Sequence, residues 1–170
     1  MVTRLSVDAR KMVLTSATEE ARRRGDRRLG TDHLLLGLLH DADSPVAQAL
    51  GIDLASARTA ADTLDREALA AVGVNVAHLG ESPNRVFARR LLPLTSGARS
   101  VLKQTLLETR TSRTKNIETR HFLLALLDRE RPDPAAELLD SLGVDRLQVR
   151  SRLQGPSDLA PRWGRDGSGS

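Results

Sequence analysis

The chain reads Thr31-Asp32-His33-Leu34-Leu35-Leu36-Gly37-Leu38-Leu39 and, further along, Thr119-Arg120-His121-Phe122-Leu123-Leu124-Ala125-Leu126-Leu127. The flanking residues also correspond: Glu20-Ala21-Arg22 matches Glu108-Thr109-Arg110, and Leu50-Gly51-Ile52-Asp53 matches Leu142-Gly143-Val144-Asp145. Short solenoid repeats recur every 20 to 50 residues and need about three copies. Two copies at this longer period therefore predict two related helical units that pack together.

Apolar spacing predicts helices nearly throughout, and the alternation typical of β-strands is absent. In the first copy, a long helix is expected to end in the polar stretch 22–28, and Thr31 is expected to be the N-cap of an apolar, buried second helix. Ser44 and Asp53 are the expected N-caps of the third and fourth helices, and the fourth is expected to end near Leu64. The predicted helices of the second copy are Ser96 to Thr111, Arg120 to Asp128, Pro134 to Leu142 and Arg146 to Leu153.

We therefore predict an all-α fold of two tandem four-helix repeats with pseudo-two-fold symmetry. Residues 1–65 form the first repeat and residues 94–153 the second. Residues 66–93 contain several Gly and Pro and are predicted to be a linker. Residues 154–170 are rich in Gly, Ser and Pro and are predicted to be a flexible tail, in which Trp163 is either inert or a short linear motif.

Composition narrows the class of protein. The 170 residues contain no cysteine, which excludes thiol chemistry and zinc–thiolate sites. Residues 1–8 lack an apolar signal core, and the longest apolar run is far short of the roughly 20 residues of a membrane span. We expect a cytoplasmic protein without a membrane partner.

The net charge of +4 and two arginine clusters raise the question of nucleic-acid binding. The clusters are Arg22-Arg23-Arg24 with Arg27-Arg28, and Arg85 with Arg89 and Arg90 around Phe87. The helix after the first cluster has no polar face to read bases, and the chain has only two Phe and one Trp for stacking. A small basic nucleic-acid-associated regulator therefore stays an alternative, and a solvated basic surface is the simpler interpretation.

No pattern of catalytic residues emerges. The chain has no Gly-x-Ser-x-Gly elbow, no His-Glu-x-x-His and no glycine-rich dinucleotide loop. His33 and His40 lie two turns apart, about 10 Å along a helix, which is too far for one zinc ion. With His121 they are expected to be structural. We predict no enzyme activity, no cofactor and no metal.

The two copies, each with Thr-x-His opening a Leu-rich helix and a later Leu-Gly-Ile/Val-Asp, resemble the N-terminal domain of Clp ATPases, closest to the ClpC type. The resemblance runs from about Arg4 to Leu153. It implies an all-α module that binds peptides, adaptor proteins or Clp components without doing chemistry. No lysine follows a glycine as in a Walker A motif, so the chain is not the ATPase motor. It is either a stand-alone accessory, regulator or decoy in Clp-dependent proteolysis, or an N-domain fragment of a Clp ATPase.

The resemblance also implies candidate site residues. The ClpC type carries Thr-Glu-His in each repeat, where the glutamates help to bind phosphoarginine, and the corresponding ligand-binding residues are Thr31 with Asp32 and Thr119 with Arg120. Asp32 keeps the acid that a guanidinium needs, whereas Arg120 reverses the charge. We therefore expect phosphoarginine recognition through the first repeat only, and weakly, and an acidic partner at the second.

The family tends to place Phe just before the first helix of each repeat. Leu5 and Leu94 stand there instead, as weak candidates for partner binding.

Overall fold

The computed structural model describes residues 3–74, 92–111 and 118–154, with side chains described outside 3–8 and 111. These ranges contain no strand, only a single parallel bridge between Leu29 and Leu94. The helices are α1 Thr3–Arg24, α2 Thr31–Leu38, α3 Pro45–Leu50, α4 Leu54–Ala71, α5 Ser96–Thr111, α6 Thr119–Leu127, α7 Pro134–Ser141 and α8 Arg146–Gln154. The predicted order of helices is confirmed in both copies.

Helix α4 differs from its prediction, because it continues past Leu64 to Ala71 and so extends into the predicted linker. Residues 75–91 of the predicted linker lie outside the described residues. The predicted tail also lies outside them except for its first residue, Gln154, which is instead the last residue of α8.

Several helix ends follow the predicted capping chemistry. Ser44 Oγ accepts a hydrogen bond from the Ala47 N–H at 3.2 Å, and Asp53 Oδ1 accepts one from Ser56 at 2.7 Å. Gly51 ends α3 with φ +67°, a conformation that strains any residue with a side chain. The residues that begin α3 and α4 and end α3 therefore act on backbone groups within four residues of them in the sequence.

The prediction that Thr31 is an N-cap is wrong. Helix α2 begins at Thr31 itself, and the N-cap is Gly30, whose N–H donates to His33 Nδ1 at 3.0 Å. The second repeat has the same arrangement: Glu118 is the N-cap of α6, and its N–H donates to His121 Nδ1 at 3.0 Å. The two histidines therefore complete the caps, which frees the threonine hydroxyls for other contacts.

The two repeats pack as a pseudo-two-fold pair around α2 and α6. Exchanging the two repeats turns α1 to α4 into α5 to α8 and the reverse. The contact of α2 with α7 then corresponds to that of α6 with α3, and the contact of α4 with α7 to that of α8 with α3. The contact of α2 with α5 likewise corresponds to that of α6 with α1. Each of these contacts between the repeats thus has its exchanged counterpart. Phe122 and Leu36 are fully buried in this shared core. Leu124, also predicted to fill the core, is only partly buried and packs against the edge of it.

Gly37 lets the first repeat pack more closely than the second. A Cβ at this position would lie 2.8 Å from the backbone nitrogen of Ala17 and 2.9 Å from the carbonyl oxygen of Val13. Both are backbone atoms of α1, so α2 can approach α1 this closely only with glycine. The second repeat has Ala125 at the equivalent place, and α5 contacts α6 less extensively.

We expect Gly37→Ala to lower the free energy of unfolding by about 1 to 3 kcal/mol, because the added methyl forces α1 and α2 apart. Helix propensity alone would favour alanine over glycine by about 1 kcal/mol, so the two effects have opposite signs. Urea denaturation of both proteins decides between them. A more stable variant would show that the helices separate without cost.

None of the helices in the described ranges is both long enough and apolar enough to cross a membrane.

Candidate functional site

A groove opens where helices α1, α2, α3 and α6 meet. Its volume is about 160 Å³, and apolar groups predominate in its walls. Met12, on the α1 side, is 52% exposed although most large apolar residues of this helix bundle are buried. The lining includes Met12, Ser16, Leu38, Asp41, Ser44 and Thr119.

Thr119, a residue predicted to bind ligand, therefore lies in this groove. Its side chain is half-buried, and its hydroxyl has no hydrogen-bond partner among the described residues. Ser44, across the groove, uses its hydroxyl to cap α3. The Thr119 hydroxyl is thus available to a ligand.

The symmetry-related position, where α5, α6, α7 and α2 meet, is closed by polar contacts. Thr31 Oγ1 donates to Asp133 Oδ1 at 2.6 Å and accepts from the Ala135 N–H at 3.2 Å. Arg129 Nε donates to Asp133 Oδ2 at 2.9 Å. Nearby, Gln104 Nε2 donates to Asp128 Oδ2 at 2.7 Å. Thr31, the equivalent of Thr119, is 1% exposed and joins the two repeats instead of facing a ligand.

Two sequence differences account for this asymmetry. The N-cap before the third helix is Ser44 in the first repeat and Asp133 in the second, and only the carboxylate is held by both Thr31 and an arginine. The arginine is Arg129, and the equivalent residue of the first repeat is Asp41, which cannot make this ion pair. The first repeat therefore keeps the groove open.

Asp32 stands at the start of α2 and is already paired. Its Oδ2 accepts a hydrogen bond from Arg24 NH1 at 2.6 Å, and the same guanidinium also binds Asp65 on α4. The side chains of Arg24 and Asp32 are 8% and 13% exposed. A guanidinium of the protein itself thus occupies the carboxylate that the resemblance assigns to a ligand.

Arg120, the counterpart of Asp32, is more exposed. Its Nε lies 2.9 Å from Glu118 Oε2, and its side chain is 37% exposed. The pKa of the adjacent His121 is lowered by burial and by the positive charge of Arg120. An acidic partner at Arg120 would have to compete with the carboxylate of Glu118, so binding of such a partner stays a prediction.

Sequence reasoning missed a buried ion cluster that adjoins the groove, since one of its members, His40, also lines the groove. Glu20 is 1% exposed, and its carboxylate accepts hydrogen bonds from Arg58 Nε at 3.0 Å and from Arg23 Nε at 3.2 Å. His40 Nε2 lies 2.7 Å from Glu20 Oε1. Burial alone would raise the pKa of Glu20, but the hydrogen bonds from Arg58 and His40 lower it from 4.5 to about 2. The sequence did contain one signal for this cluster: Glu20 lies on the apolar face of α1, where a charged side chain needs partners.

The second repeat has a looser version of this cluster. Arg150, which corresponds to Arg58, binds Asp128 at the end of α6, and Gln104 Nε2 donates to Glu108 Oε1 at 3.2 Å. Glu108, the counterpart of Glu20, is only partly buried. Both clusters tie the fourth helix of a repeat to its neighbours, so we assign them to stability.

Leu94 is not among the lining residues of the groove. The backbone beside Leu94 pairs with Leu29, whose N–H donates a hydrogen bond to the carbonyl oxygen of Pro93 at 2.9 Å. The Leu94 side chain is partly buried and packs against the core. The side chain of Leu5 lies outside the described residues.

The first arginine cluster is partly neutralised. Arg23 contacts Asp62 at 3.3 Å as well as Glu20, and Arg24 is held by Asp32 and Asp65. These guanidinium groups are not free to bind phosphates. The second cluster, around Phe87, lies outside the described residues. In the described ranges, no three His, Cys, Asp or Glu side chains lie close enough together to hold a metal ion.

Comparisons with known proteins agree with this architecture. The ClpD N-terminal domain of Arabidopsis thaliana matches with a TM-score of 0.64 and 19% identity, over 90% of this chain and 94% of that one. A chain from a structural study of a malarial protein secretion system matches with a TM-score of 0.59 and 12% identity, over 89% and 90%. At these identities the likeness shows the fold.

Sequence comparison gives the family. The chloroplastic chaperone protein ClpC1 of Oryza sativa subsp. japonica is 32% identical over 144 residues, which cover 83% of this chain and 14% of that protein. A ClpA homolog of Cyanidium caldarium, an ATP-binding subunit of the Clp protease, is 31% identical over 83% of this chain and 15% of its own length. The chain thus spans a small part of these relatives. The Clp repeat (R) N-terminal domain family matches residues 5–90, half of the chain, and the chain belongs to that family.

Proposed function

We propose that the chain is a non-catalytic, cytoplasmic binding module of Clp-dependent proteolysis. It binds substrate peptides, adaptor proteins or Clp ATPase and protease components, and acts as an accessory, regulator or decoy. The match of sequence and fold to the N-terminal regions of Clp proteins carries this proposal. The same binding role applies if the module works as the N-terminal part of a longer Clp ATPase.

The open groove supports the proposal. Its apolar walls and the half-exposed Met12 suit a protein ligand, because exposed apolar surface next to polar groups marks interaction sites. A module that binds in this way acts by competition, when it shares a partner with the ATPase, or by delivery, when it holds substrate and ATPase together.

Biolayer interferometry with the purified chain tests the proposal. The immobilised chain is offered a Clp ATPase, an adaptor protein and an unfolded substrate protein separately, and we expect saturable binding to at least one of them. A DNA duplex and a single-stranded RNA serve as the comparison. Binding to the nucleic acids alone, with a steep salt dependence, would contradict the proposal and favour a nucleic-acid regulator.

We also propose that phosphoarginine recognition is weak and confined to Asp32. Arg24 already occupies this carboxylate, and Arg120 replaces the second acid. By calorimetry, Asp32→Asn should lower the affinity for phosphoarginine at least about tenfold, since a charge-assisted hydrogen bond contributes about 1.5 to 3 kcal/mol. Arg24→Ala, which frees Asp32, should raise it. Two sites per wild-type chain would contradict this proposal.

For the second site we propose an acidic ligand at Arg120. Glu118 competes for the same guanidinium, so this binding is expected to be weak. An acidic peptide that binds wild type and Arg120→Glu equally well would contradict this assignment.

A further inference from the structure

The groove at α1, α2, α3 and α6 and its closed counterpart occupy equivalent places in the two repeats. The counterpart is sealed by the contacts among Thr31, Asp133 and Arg129, whereas Thr119 and Ser44 leave the groove open. The site is therefore open in the first repeat and bridged by polar contacts at the equivalent place of the second repeat. A ligand of the groove should bind with a stoichiometry of one.

The dimensions of the groove suit one apolar side chain. A cavity of about 150 Å³ is enough to hold a benzene-sized group, and the groove has a volume of about 160 Å³. Met12 at its edge is unbranched and flexible, so it can adapt to the shape of an entering group. This volume does not admit a folded helix face with several anchors, but it admits one Phe or Leu side chain of an extended peptide.

The charges at the groove determine what flanks that side chain. Among the described residues, the titratable side chains that line the groove are those of Asp41, which is exposed, and of His40, whose Nε2 lies 2.7 Å from Glu20 Oε1. Asp43 is exposed beside Asp41, its N–H donating to Asp41 Oδ1 at 3.2 Å, and Glu19 Oε2 lies 4.0 Å from the ring of His40. Asp41 thus lines the opening, and the carboxylates of Asp43 and of Glu19 on α1 belong to residues that contact the lining residues Asp41 and His40. A cationic neighbour of the inserted residue complements this charge.

We propose that the groove binds an extended peptide segment that inserts one Phe or Leu side chain beside Met12 and places an adjacent Arg or Lys against Asp41. This inference rests on the proposed function and names the peptide class that the module selects. The Thr119 hydroxyl accepts or donates a hydrogen bond to the peptide backbone. The equivalent place in the second repeat, at Thr31, does not bind this peptide.

A labelled synthetic peptide, Gly-Ser-Arg-Phe-Arg-Ser-Gly, tests this proposal by fluorescence anisotropy and calorimetry. We expect one site per chain, weaker binding when Ser replaces the Phe, and weaker binding when Glu replaces both Arg. Asp41→Lys and Met12→Glu should each weaken binding at least about fivefold, through charge reversal and loss of apolar contact. Both positions are exposed, so circular dichroism should show unchanged folding.

Matched controls come from the rest of the chain. Glu130→Lys makes the same charge change in the corresponding turn of the second repeat, and Leu147→Glu makes an apolar-to-acid change at a residue that is 79% exposed on α8. Neither should change the affinity for the peptide. Absence of binding, a stoichiometry of two, equal effects of the controls, or tighter binding of the Glu-flanked peptide would each overturn the proposal.

The outcome for the groove can be separated from the outcome for the proposed function. If Asp41→Lys and Met12→Glu bind Clp components or unfolded substrate as wild type does, the groove assignment fails and the module still binds partners elsewhere. If wild type binds none of these proteins and no peptide, both proposals fail.

Discussion

Glu20→Ala is expected to lower the free energy of unfolding by about 1.5 to 3 kcal/mol, because it removes charge-assisted hydrogen bonds to Arg58 and Arg23, whose side chains are 35% and 37% exposed and so remain hydrated. The substitution leaves the guanidinium of Arg58 without the buried carboxylate that holds it and removes one of the ion pairs that link α1 to α4. Domains of this size have a total stability of about 5 to 15 kcal/mol, so the loss is large. Urea denaturation followed by circular dichroism measures it.

Glu108→Ala is the matched control, because Glu108 stands at the equivalent position of the second repeat but is only partly buried. We expect a loss below about 1 kcal/mol there. Equal losses of unfolding free energy at the two positions would show that the buried contacts of Glu20 stabilise the fold no more than the partly exposed contacts of Glu108.

The same cluster predicts how stability depends on pH. The folded-state pKa of Glu20 is about 2, below its ordinary value of 4.5. The stabilisation is therefore fully present above about pH 4.5 and is lost as the pH falls from there toward 2. Glu20→Gln should show a flatter dependence of unfolding free energy on pH over this window. A variant with the same slope as wild type would contradict the assignment.

Leu36→Ala should also be strongly destabilising, by about 2 to 5 kcal/mol, through lost burial and the cavity left behind. Leu36 is fully buried at the centre of the two repeats. Differential scanning calorimetry or urea denaturation gives the value. A loss below about 1 kcal/mol would mean that the surrounding helices close the cavity without cost.

Leu124, at the equivalent position of α6, provides the comparison. It is partly buried at the edge of the core, so Leu124→Ala removes less apolar area from contact and leaves a more open space. We expect a clearly smaller loss than for Leu36→Ala. Equal losses would indicate that the core extends further around α6 than the contacts suggest.

The helices were predictable because their signals are local. Ser44, Asp53 and Gly51 act within one turn of the helix ends that they set, and the repeated sequence fixes the order of elements. The end of α4 was less predictable, since helical propensity continues past Leu64 to Ala71 and no Gly or Pro interrupts it.

The site was less predictable because its determinants are distant in sequence. Thr31 looked like an N-cap, but its hydroxyl bonds to Asp133 in the other repeat, and His33 takes over the capping contact. The pairing of Asp32 with Arg24 depends on the angle between α1 and α2, which no sequence pattern shows. The open groove likewise depends on distant residues, because Ser44 and Asp41 stand where the second repeat has Asp133 and Arg129, which bind each other and Thr31.

The most direct test of the proposed role is the rate at which a purified Clp ATPase and its peptidase degrade an unfolded substrate, measured with increasing amounts of the chain. We predict a saturable change in rate: a decrease if the chain competes for substrate or adaptor, an increase if it delivers substrate. Glu130→Lys should act as wild type does. An unchanged rate at a large molar excess of folded chain, both with and without adaptor, would contradict the account.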